Sequence, residues 1–373
     1  MNVIFTCGGT AGHINPAIAV ANILKERDPS CNVLFIGAKG HMEEKLVPQA
    51  GYELKCLPGS GLVRGKSLKA LKKNAKVITD LTGSIKQCKQ IIRDFKADVI
   101  VGTGGYASFP ALYAGSKLKV PTCVHESNAV PGLTTKMAAN RANRVLVCFE
   151  ESAKYYRCPE KVEVVGMPVR KEFISTQKEQ ARKELGLDSR PLVVSAFGSL
   201  GARAMNYAMA DFMKLEQEAG MPFQHIHATG SYGWEWMPEH LKSLGVQEGN
   251  GLDLREYIYN MPTVMAAADV IIGRSGASTC NEIGASGTPC ILIPSPNVTN
   301  DHQMKNAKIL ADRGGAVLLP EGENMGQKLY DAVTELLADQ DRQSQMSKTL
   351  KEMVVLDSAE RICDMILQLA AGK

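Results

Sequence analysis

The chain has 373 residues, of which 45% are apolar and 22% charged, with a formal net charge of +4. This leaves room for two globular domains at roughly 150 residues each, and the balance excludes a disordered or low-complexity chain. The ten cysteines are scattered, with no Cys-x-x-Cys pair and no histidine at zinc-finger spacing, so no disulfide framework, metal site or cofactor is expected and a reducing, cytoplasmic setting is.

The first element is Val3-Ile4-Phe5-Thr6-Cys7, an apolar run rich in β-formers, followed by the turn Gly8-Gly9-Thr10-Ala11-Gly12 and helical apolar spacing over residues 16–24. Further strands are predicted over 32–36, 98–101, 122–124 and 145–148. Residues 3–24 and 99–116 contain no Asp, Glu, Lys or Arg. Each is broken by a glycine cluster and a proline, so both read as a buried strand turning into a helix rather than as a membrane span or signal peptide. The pattern restarts at Leu192-Val193-Val194-Ser195-Ala196 with the turn Gly198-Ser199-Leu200-Gly201, and recurs at Val270-Ile271-Ile272 and Cys290-Ile291-Leu292-Ile293. Strands alternating with helices give parallel sheets. Two such series predict an α/β protein of two doubly wound domains, joined near residues 165–171 where Gly166 and Pro168 interrupt the pattern.

Charge is unevenly distributed. Residues 61–96 carry ten Lys or Arg against Asp80 and Asp94, a net +8, which leaves −4 for the rest of the chain. Such a segment suits an anionic partner surface. No aromatic residues alternate with the basic ones, which argues against nucleic acid. Leu68, Leu71, Ala75 and Ile78 fall on one helical face and Ile85, Ile92 and Phe95 on a second, so helices that pack on the sheet account for part of the pattern.

In open α/β sheets ligands bind at the carboxyl ends of the strands, which selects the glycine turns. At the 8–12 turn a ligand can approach bare backbone, and the following helix offers free N–H groups and a positive dipole end, a setting for phosphate or diphosphate. A tight turn with no ligand is the other reading. The spacing is not Gly-x-Gly-x-x-Gly, and Ile36 is followed by Gly37-Ala38-Lys39 rather than an acidic residue; both facts count against a dinucleotide dehydrogenase. A second loop, Gly102-Thr103-Gly104-Gly105-Tyr106-Ala107-Ser108, and a third, Gly273-Arg274-Ser275-Gly276-Ala277-Ser278-Thr279, each follow a strand. So many phosphate-competent turns fit a pair of substrates that both carry diphosphate.

Several runs match one family in order. Gly8-Gly9-Thr10-Ala11-Gly12-His13-Ile14-Asn15-Pro16-Ala17 resembles the MurG-family signature Gly-Gly-Thr-Gly-Gly-His-x-x-Pro-Ala. The 102–110 segment, His125-Glu126-Ser127-Asn128-Ala129-Val130-Pro131-Gly132, Gly198-Ser199-Leu200-Gly201-Ala202, the 274–282 segment and His302-Gln303-Met304-Lys305-Asn306-Ala307 resemble the family as well. The resemblance implies a GT-B glycosyltransferase: two Rossmann-like, doubly wound parallel-sheet domains with an interdomain cleft. The domains would be 1–166, on the acceptor and membrane side, and 167–357, binding UDP-GlcNAc, with a helix over 358–373 packing back on the first. The implied reaction is inverting transfer of N-acetylglucosamine to the C4 hydroxyl of the MurNAc unit of lipid I, giving lipid II, at the cytoplasmic face of the membrane.

By the family pattern Ile258 flanks the uracil, Glu282 holds the ribose hydroxyls and Gln303 the sugar hydroxyls. Ser199 and the helix start at Ala277, Ser278 and Thr279 receive the donor diphosphate, and Thr10, Ala11, Gly12, Asn128 and Arg170 complete the donor site. The acceptor diphosphate would lie on Gly9, Gly12, Gly104, Gly105 and Tyr106. His13 is the candidate base, since imidazole titrates near neutral pH; capping the helix or binding phosphate are its other readings. Leu62, Val63 and the lysines at 66–76 would contact anionic lipid, or else belong to helices that only show lysine to water. Ala11, Ser127, Met167, Phe197 and Leu200 depart from the family pattern, and a leucine at 200 cannot donate the hydrogen bonds of the usual glutamine. Another GT-B glycolipid synthase using a UDP-sugar, and a non-catalytic nucleotide-sugar binder, are the competing readings.

Overall fold

The computed structural model describes residues 1–58 and 68–372, apart from the side chains of residues 11, 68–79 and 299. The chain forms two compact units, Met1–Val169 with Val355–Lys373, and Arg170–Val354.

The first unit is built on a parallel sheet of β1 (Asn2–Thr6), β2 (Asn32–Ala38), β3 (Glu53–Leu57), β4 (Val99–Gly102), β5 (Thr122–Glu126), β6 (Arg144–Val147) and β7 (Val162–Val164), in the order β3-β2-β1-β4-β5-β6-β7. Successive side chains on a strand point to opposite faces, so a sheet covered on both sides needs apolar residues at every position. β1 meets this requirement. Ile4 joins a core with Leu34, Ile100 and Val124 beneath the helices Leu68–Phe95, Ser108–Lys117 and Leu133–Ala139. Val3 and Phe5 join a core with Phe35, Val99 and Val101 on the other face. Ile14, Ala17 and Leu24 of the helix Ala11–Arg27 and Ile362, Cys363 and Ile366 of the helix Ser358–Ala371 complete that second core. The two helices are also tied by the ion pair of Arg27 with Asp364.

Helix Ala11–Arg27 begins five residues earlier than the apolar spacing predicts. Gly12 and His13 therefore lie in its first turn, and Ala11, where the family has glycine, takes an ordinary right-handed helical start. The 68–95 stretch is a single helix of 28 residues rather than separate helices. Its second predicted face packs, with Ile92 buried and Ile85 and Phe95 against the core. Leu62, Val63 and Lys66 lie outside the described residues, as do the side chains of Lys69, Lys72, Lys73 and Lys76. No helix among the described residues is long and apolar enough to cross a membrane.

The second unit repeats the plan with β8 (Leu192–Ala196), β9 (Gln224–Ala228), β10 (Leu252–Arg255), β11 (Val270–Gly273), β12 (Cys290–Leu292) and β13 (Val317–Leu318), all parallel, in the order β10-β9-β8-β11-β12-β13. In each unit the strand order reverses beside its first strand, between β1 and β4 or between β8 and β11, which opens a crevice at the carboxyl ends. A polar chain runs through the core of the second unit. Glu216 Oε2 lies 3.0 Å from His225 Nδ1, and Ser195 Oγ lies 2.7 Å from His225 Nε2 and 2.6 Å from His227 Nδ1, with all four side chains fully buried.

Because Ile366 is fully buried in the core it shares with β1 and β4, Ile366→Ala should destabilise the first unit by about 2–5 kcal/mol. Hydrogen exchange of the β1 and β4 amides would accelerate accordingly. The tryptophan signal, which comes from Trp234 and Trp236 of the second unit, should keep its urea midpoint.

Candidate active site

In the first unit the loops after β1 and β4 meet at the strand-order reversal. A Cβ on Gly105, which has φ +83°, would sit 2.2 Å from the Gly8 carbonyl oxygen, so only glycine permits the approach. Gly104 has φ +110° and faces His13, where a Cβ would stand 2.9 Å from Nε2. The imidazole is thus held over bare backbone. His13 Nδ1 lies 3.0 Å from the Gly8 carbonyl oxygen, and Thr103 Oγ1 donates to the His13 carbonyl at 2.6 Å. A carbonyl only accepts, so Nδ1 carries the proton and the neutral ring keeps its lone pair on Nε2. That is the form a general base requires.

The other amides of this loop are not equivalent. His13 N–H donates to Thr10 O at 3.0 Å, and Gly9 N–H donates to Glu43 Oε2 at 3.1 Å. Gly9, assigned to an acceptor diphosphate from sequence, therefore has its donor already engaged by a carboxylate. The amides of Ala11 and Gly12 precede the first intrahelical bonds and remain the phosphate-competent pair. Tyr106 lies within the second loop, its hydroxyl turned inward beside Ser84.

Asn128 is organised by a residue that sequence reasoning gave no role. Glu126, buried at the end of β5, accepts from Asn128 N–H at 3.0 Å and Nδ2 at 3.1 Å, and from Gly132 N–H at 3.0 Å. The adjacent His125 is buried, and its Nε2 meets the Gly166 carbonyl at 2.8 Å; desolvation pushes its pKa down, so it is a neutral donor there.

In the second unit the loop after β8 locks into the loop after β9. A Cβ on Gly201, at φ +79°, would stand 2.0 Å from the Thr229 carbonyl oxygen, while Ser231 N–H and Tyr232 N–H donate to Ser199 O and Leu200 O at 3.3 and 3.2 Å. Ser199 is exposed on this tip. Phe197, where the family has glycine, lies with its ring centroid 6.2 Å from that of His227 and 5.9 Å from the Arg274 guanidinium carbon, so it bridges the loops after β8 and β11.

The loop after β11 ends on Gly276, the cap of the helix Ala277–Ser286, so the amides of Ala277, Ser278 and Thr279 form its open first turn. Buried Ser275 donates to the Gln303 carbonyl at 2.8 Å. Gln303 Oε1 accepts from Ser295 N–H at 2.8 Å, which turns its amide so that the NH2 group is the end left for a ligand. Glu282, on the same helix, is pushed up from 4.5 to about 7 by burial, against the opposing pull of Arg170. Arg170 lies over the Phe173 ring at 5.1 Å. Ile258, on the loop after β10, is 2% exposed between the exposed Tyr257 and Tyr259. Among the described residues no group of three His, Cys, Asp or Glu side chains could hold a metal ion.

The second unit thus gathers an open helix start, a cation, a protonatable carboxyl and a donor amide, and the first an imidazole of fixed tautomer beside free amides. Residues 3–147 match the Glycosyltransferase family 28 N-terminal domain and residues 192–362 the Glycosyltransferase family 28 C-terminal domain. The class is therefore a glycosyltransferase of the GT-B fold, with one Rossmann-like sheet in each unit.

The relatives narrow this class. The chain is 38% identical to the UDP-N-acetylglucosamine--N-acetylmuramyl-(pentapeptide) pyrophosphoryl-undecaprenol N-acetylglucosamine transferase of Acetivibrio thermocellus, over 100% of this chain and 99% of that protein. It is 36% identical to the protein of the same name from Halalkalibacterium halodurans, over 99% and 100%. The chain belongs to the MurG family. Its fold is similar to that of Acinetobacter baumannii MurG, at a TM-score of 0.78 and 23% identity over 98% of this chain and 99% of that one. A UDP-GlcNAc 2-epimerase from Neisseria meningitidis bound to UDP-GlcNAc also shares the fold, at 0.67 and 14% over 99% and 100%.

Burial sets the sign of one pH effect. Glu282 contributes stability that is full below 4.5 and is lost as pH rises through about 7. Glu282→Gln, which never ionises, should unfold at a higher urea concentration than the parent at about pH 8. That advantage should disappear at pH 4.5 and below. Equal midpoints at the higher pH would mean an ordinary carboxyl.

Proposed function

We propose that this protein transfers N-acetylglucosamine from UDP-GlcNAc, with inversion, to the C4 hydroxyl of the MurNAc unit of undecaprenyl-pyrophosphoryl-MurNAc-pentapeptide, forming the lipid-linked disaccharide of peptidoglycan synthesis. End-to-end similarity to transferases of that name carries the reading of substrates. The tautomer of His13 carries the reading of chemistry.

The donor belongs to the second unit. The open amides of Ala277, Ser278 and Thr279, with Ser199 and Arg170, take the diphosphate, and their dipoles stabilise the charge that grows on departing UDP. Glu282 holds the ribose hydroxyls, which an ionised carboxylate does best, so donor affinity falls as pH drops below about 7. Ile258 flanks the uracil, and the Gln303 NH2 group meets the sugar hydroxyls. In the first unit His13 Nε2 takes the proton of the attacking hydroxyl as the anomeric carbon gains oxocarbenium character. Gly12 and the turn of Gly104, Gly105 and Tyr106 receive the acceptor diphosphate. Gly9 supplies conformation there rather than a donor.

The acceptor is a lipid, and one surface of the first unit suits a bilayer. Phe109, Tyr113, Met137, Asn140 and Arg141 line a depression. Lys117 Nζ and the Arg141 guanidinium lie 5.7 and 5.0 Å from the Tyr113 ring centroid, and Leu133 is exposed nearby in sequence to Met137. Aromatic rings beside cations suit the headgroup region of an anionic membrane. The helix Ser108–Lys117 packs on the helix Leu68–Phe95, which continues the basic segment. We read this as a peripheral contact at the cytoplasmic face.

Two measurements test the reading. Transfer of labelled sugar to a lipid I analogue should occur from UDP-GlcNAc and not from UDP-glucose or UDP-galactose. His13→Ala should reduce kcat by about 10²–10⁴-fold while UDP still binds; retained turnover would leave His13 without the role of base. Separately, charge reversal at Lys117 and Arg141, or at Lys69, Lys72, Lys73 and Lys76, should release the protein from phosphatidylglycerol vesicles. Unchanged vesicle binding in both sets would remove the membrane contact.

A further inference from the structure

Glu43 is a fully buried carboxylate that no step above uses. It opens the short helix Glu43–Gln49, and its two oxygens are turned inward to backbone: Oε1 accepts from Ala38 N–H at 2.9 Å and Oε2 from Gly9 N–H at 3.1 Å. The structure makes room for it. A Cβ on Gly8 would stand 2.8 Å from Glu43 Oε1, and one on Gly37 2.6 Å from its Cγ. No cation forms an ion pair with it among the described residues, and burying a carboxylate this way is costly.

The amide that Glu43 binds is one half of a planar peptide group whose other half is the Gly8 carbonyl. That carbonyl oxygen is the acceptor for His13 Nδ1 at 3.0 Å. A single peptide plane therefore has a carboxylate on its N–H and an imidazole on its C=O. We propose that Glu43 is a positioning residue for His13, acting through the Gly8–Gly9 peptide group. The inference rests on the reading of His13 as the base.

The physical logic is that of hydrogen bonds in series. A negative charge on the N–H side polarises the amide and strengthens its oxygen as an acceptor. The stronger acceptor holds the proton on Nδ1, keeps the lone pair on Nε2 and stabilises the imidazolium once the acceptor's proton arrives. A carboxylate bound directly to the imidazole does the same in a serine-hydrolase triad; here one peptide group stands between the two. No covalent bond forms or breaks, and no proton leaves Nδ1. Around Glu43 stand the thiols of Cys7 and Cys56, which sense it and are themselves pushed up chiefly by burial, with Glu44 and Lys39 acting on Cys56 as well. On the imidazole side His125 senses His13.

The test uses the full chain with Glu43→Gln, and Glu43→Asp as the variant that keeps the charge. Histidine side-chain nitrogen spectra, with His13→Asn to assign the signal, report the tautomer without reference to turnover. In Glu43→Gln the His13 signal should lose its Nδ1–H preference, and kcat should fall about 10- to 100-fold. The dissociation constant for UDP should stay put, which a general loss of structure would not allow, and Glu43→Asp should recover part of both effects. If His13 keeps its tautomer in both variants, the proposal is wrong whatever the rates do. If His13 responds as described but His13→Ala retains full turnover, the coupling stands and the assignment of the base falls.

Discussion

The first unit depends on one backbone contact, Gly105 against the Gly8 carbonyl. With a side chain at 105 the loops after β1 and β4 could not close, since its first carbon would overlap the carbonyl oxygen. Their closure at the strand-order reversal fixes the carbonyl, and through the carbonyl the orientation of the imidazole above Gly104. Strain in these left-handed turns is relieved by glycine alone, and the parallel sheet, buried on both faces, supplies the rigidity that makes the placement repeatable. Chemistry at this site is thus a property of the main chain first and of side chains second.

Buried carboxyls mark the loops in both units, and the partner of each explains what it does. Glu43 and Glu126 accept backbone N–H groups and so specify loop shape around Gly9 and Asn128. Glu216 meets a histidine in a chain that ties β8 to β9 behind the Ser199 loop. Glu282 stands apart. It is partly buried and accepts no hydrogen bond among the described residues, and desolvation pushes it up to about 7. A carboxyl left without donors in a folded protein is available to a ligand that brings hydroxyls.

Much of this was legible in the sequence because parallel sheets advertise themselves. Strands covered on both faces are continuous apolar runs, so β1, β4, β8, β11 and β12 stand out, all but β12 followed by a glycine loop. The edge strand β3, Glu53-Leu54-Lys55-Cys56-Leu57, alternates charge with apolar residues and has no such signature. β9 is buried yet reads as Gln224-His225-Ile226-His227-Ala228, because its histidines find hydrogen-bond partners in Ser195 and Glu216 from other elements. The single helix from Leu68 to Phe95 was hidden by the change of apolar face near Gly83, which looks like a break between two helices. Glu43 carried no signal at all. In His41-Met42-Glu43-Glu44-Lys45 it resembles any charged helix start, and only the fold brings it beneath a loop more than thirty residues earlier.

The first unit recruits its last core helix, Ser358–Ala371, from beyond the whole of the second unit. A chain emerging from a ribosome, at roughly 5–20 residues per second, ordinarily completes its domains from the N-terminus onward. Here the order is inverted. The segment 170–354 is contiguous and can close as soon as it has emerged, while the sheet made first has the apolar face around Phe5, Val99 and Val101 only partly covered, by the helix Ala11–Arg27, for the time needed to synthesise almost two hundred further residues, about 10–40 s at that rate. A nascent chain of this protein therefore shows apolar surface longest at its oldest end, and early termination leaves a finished second unit attached to an unsealed first one.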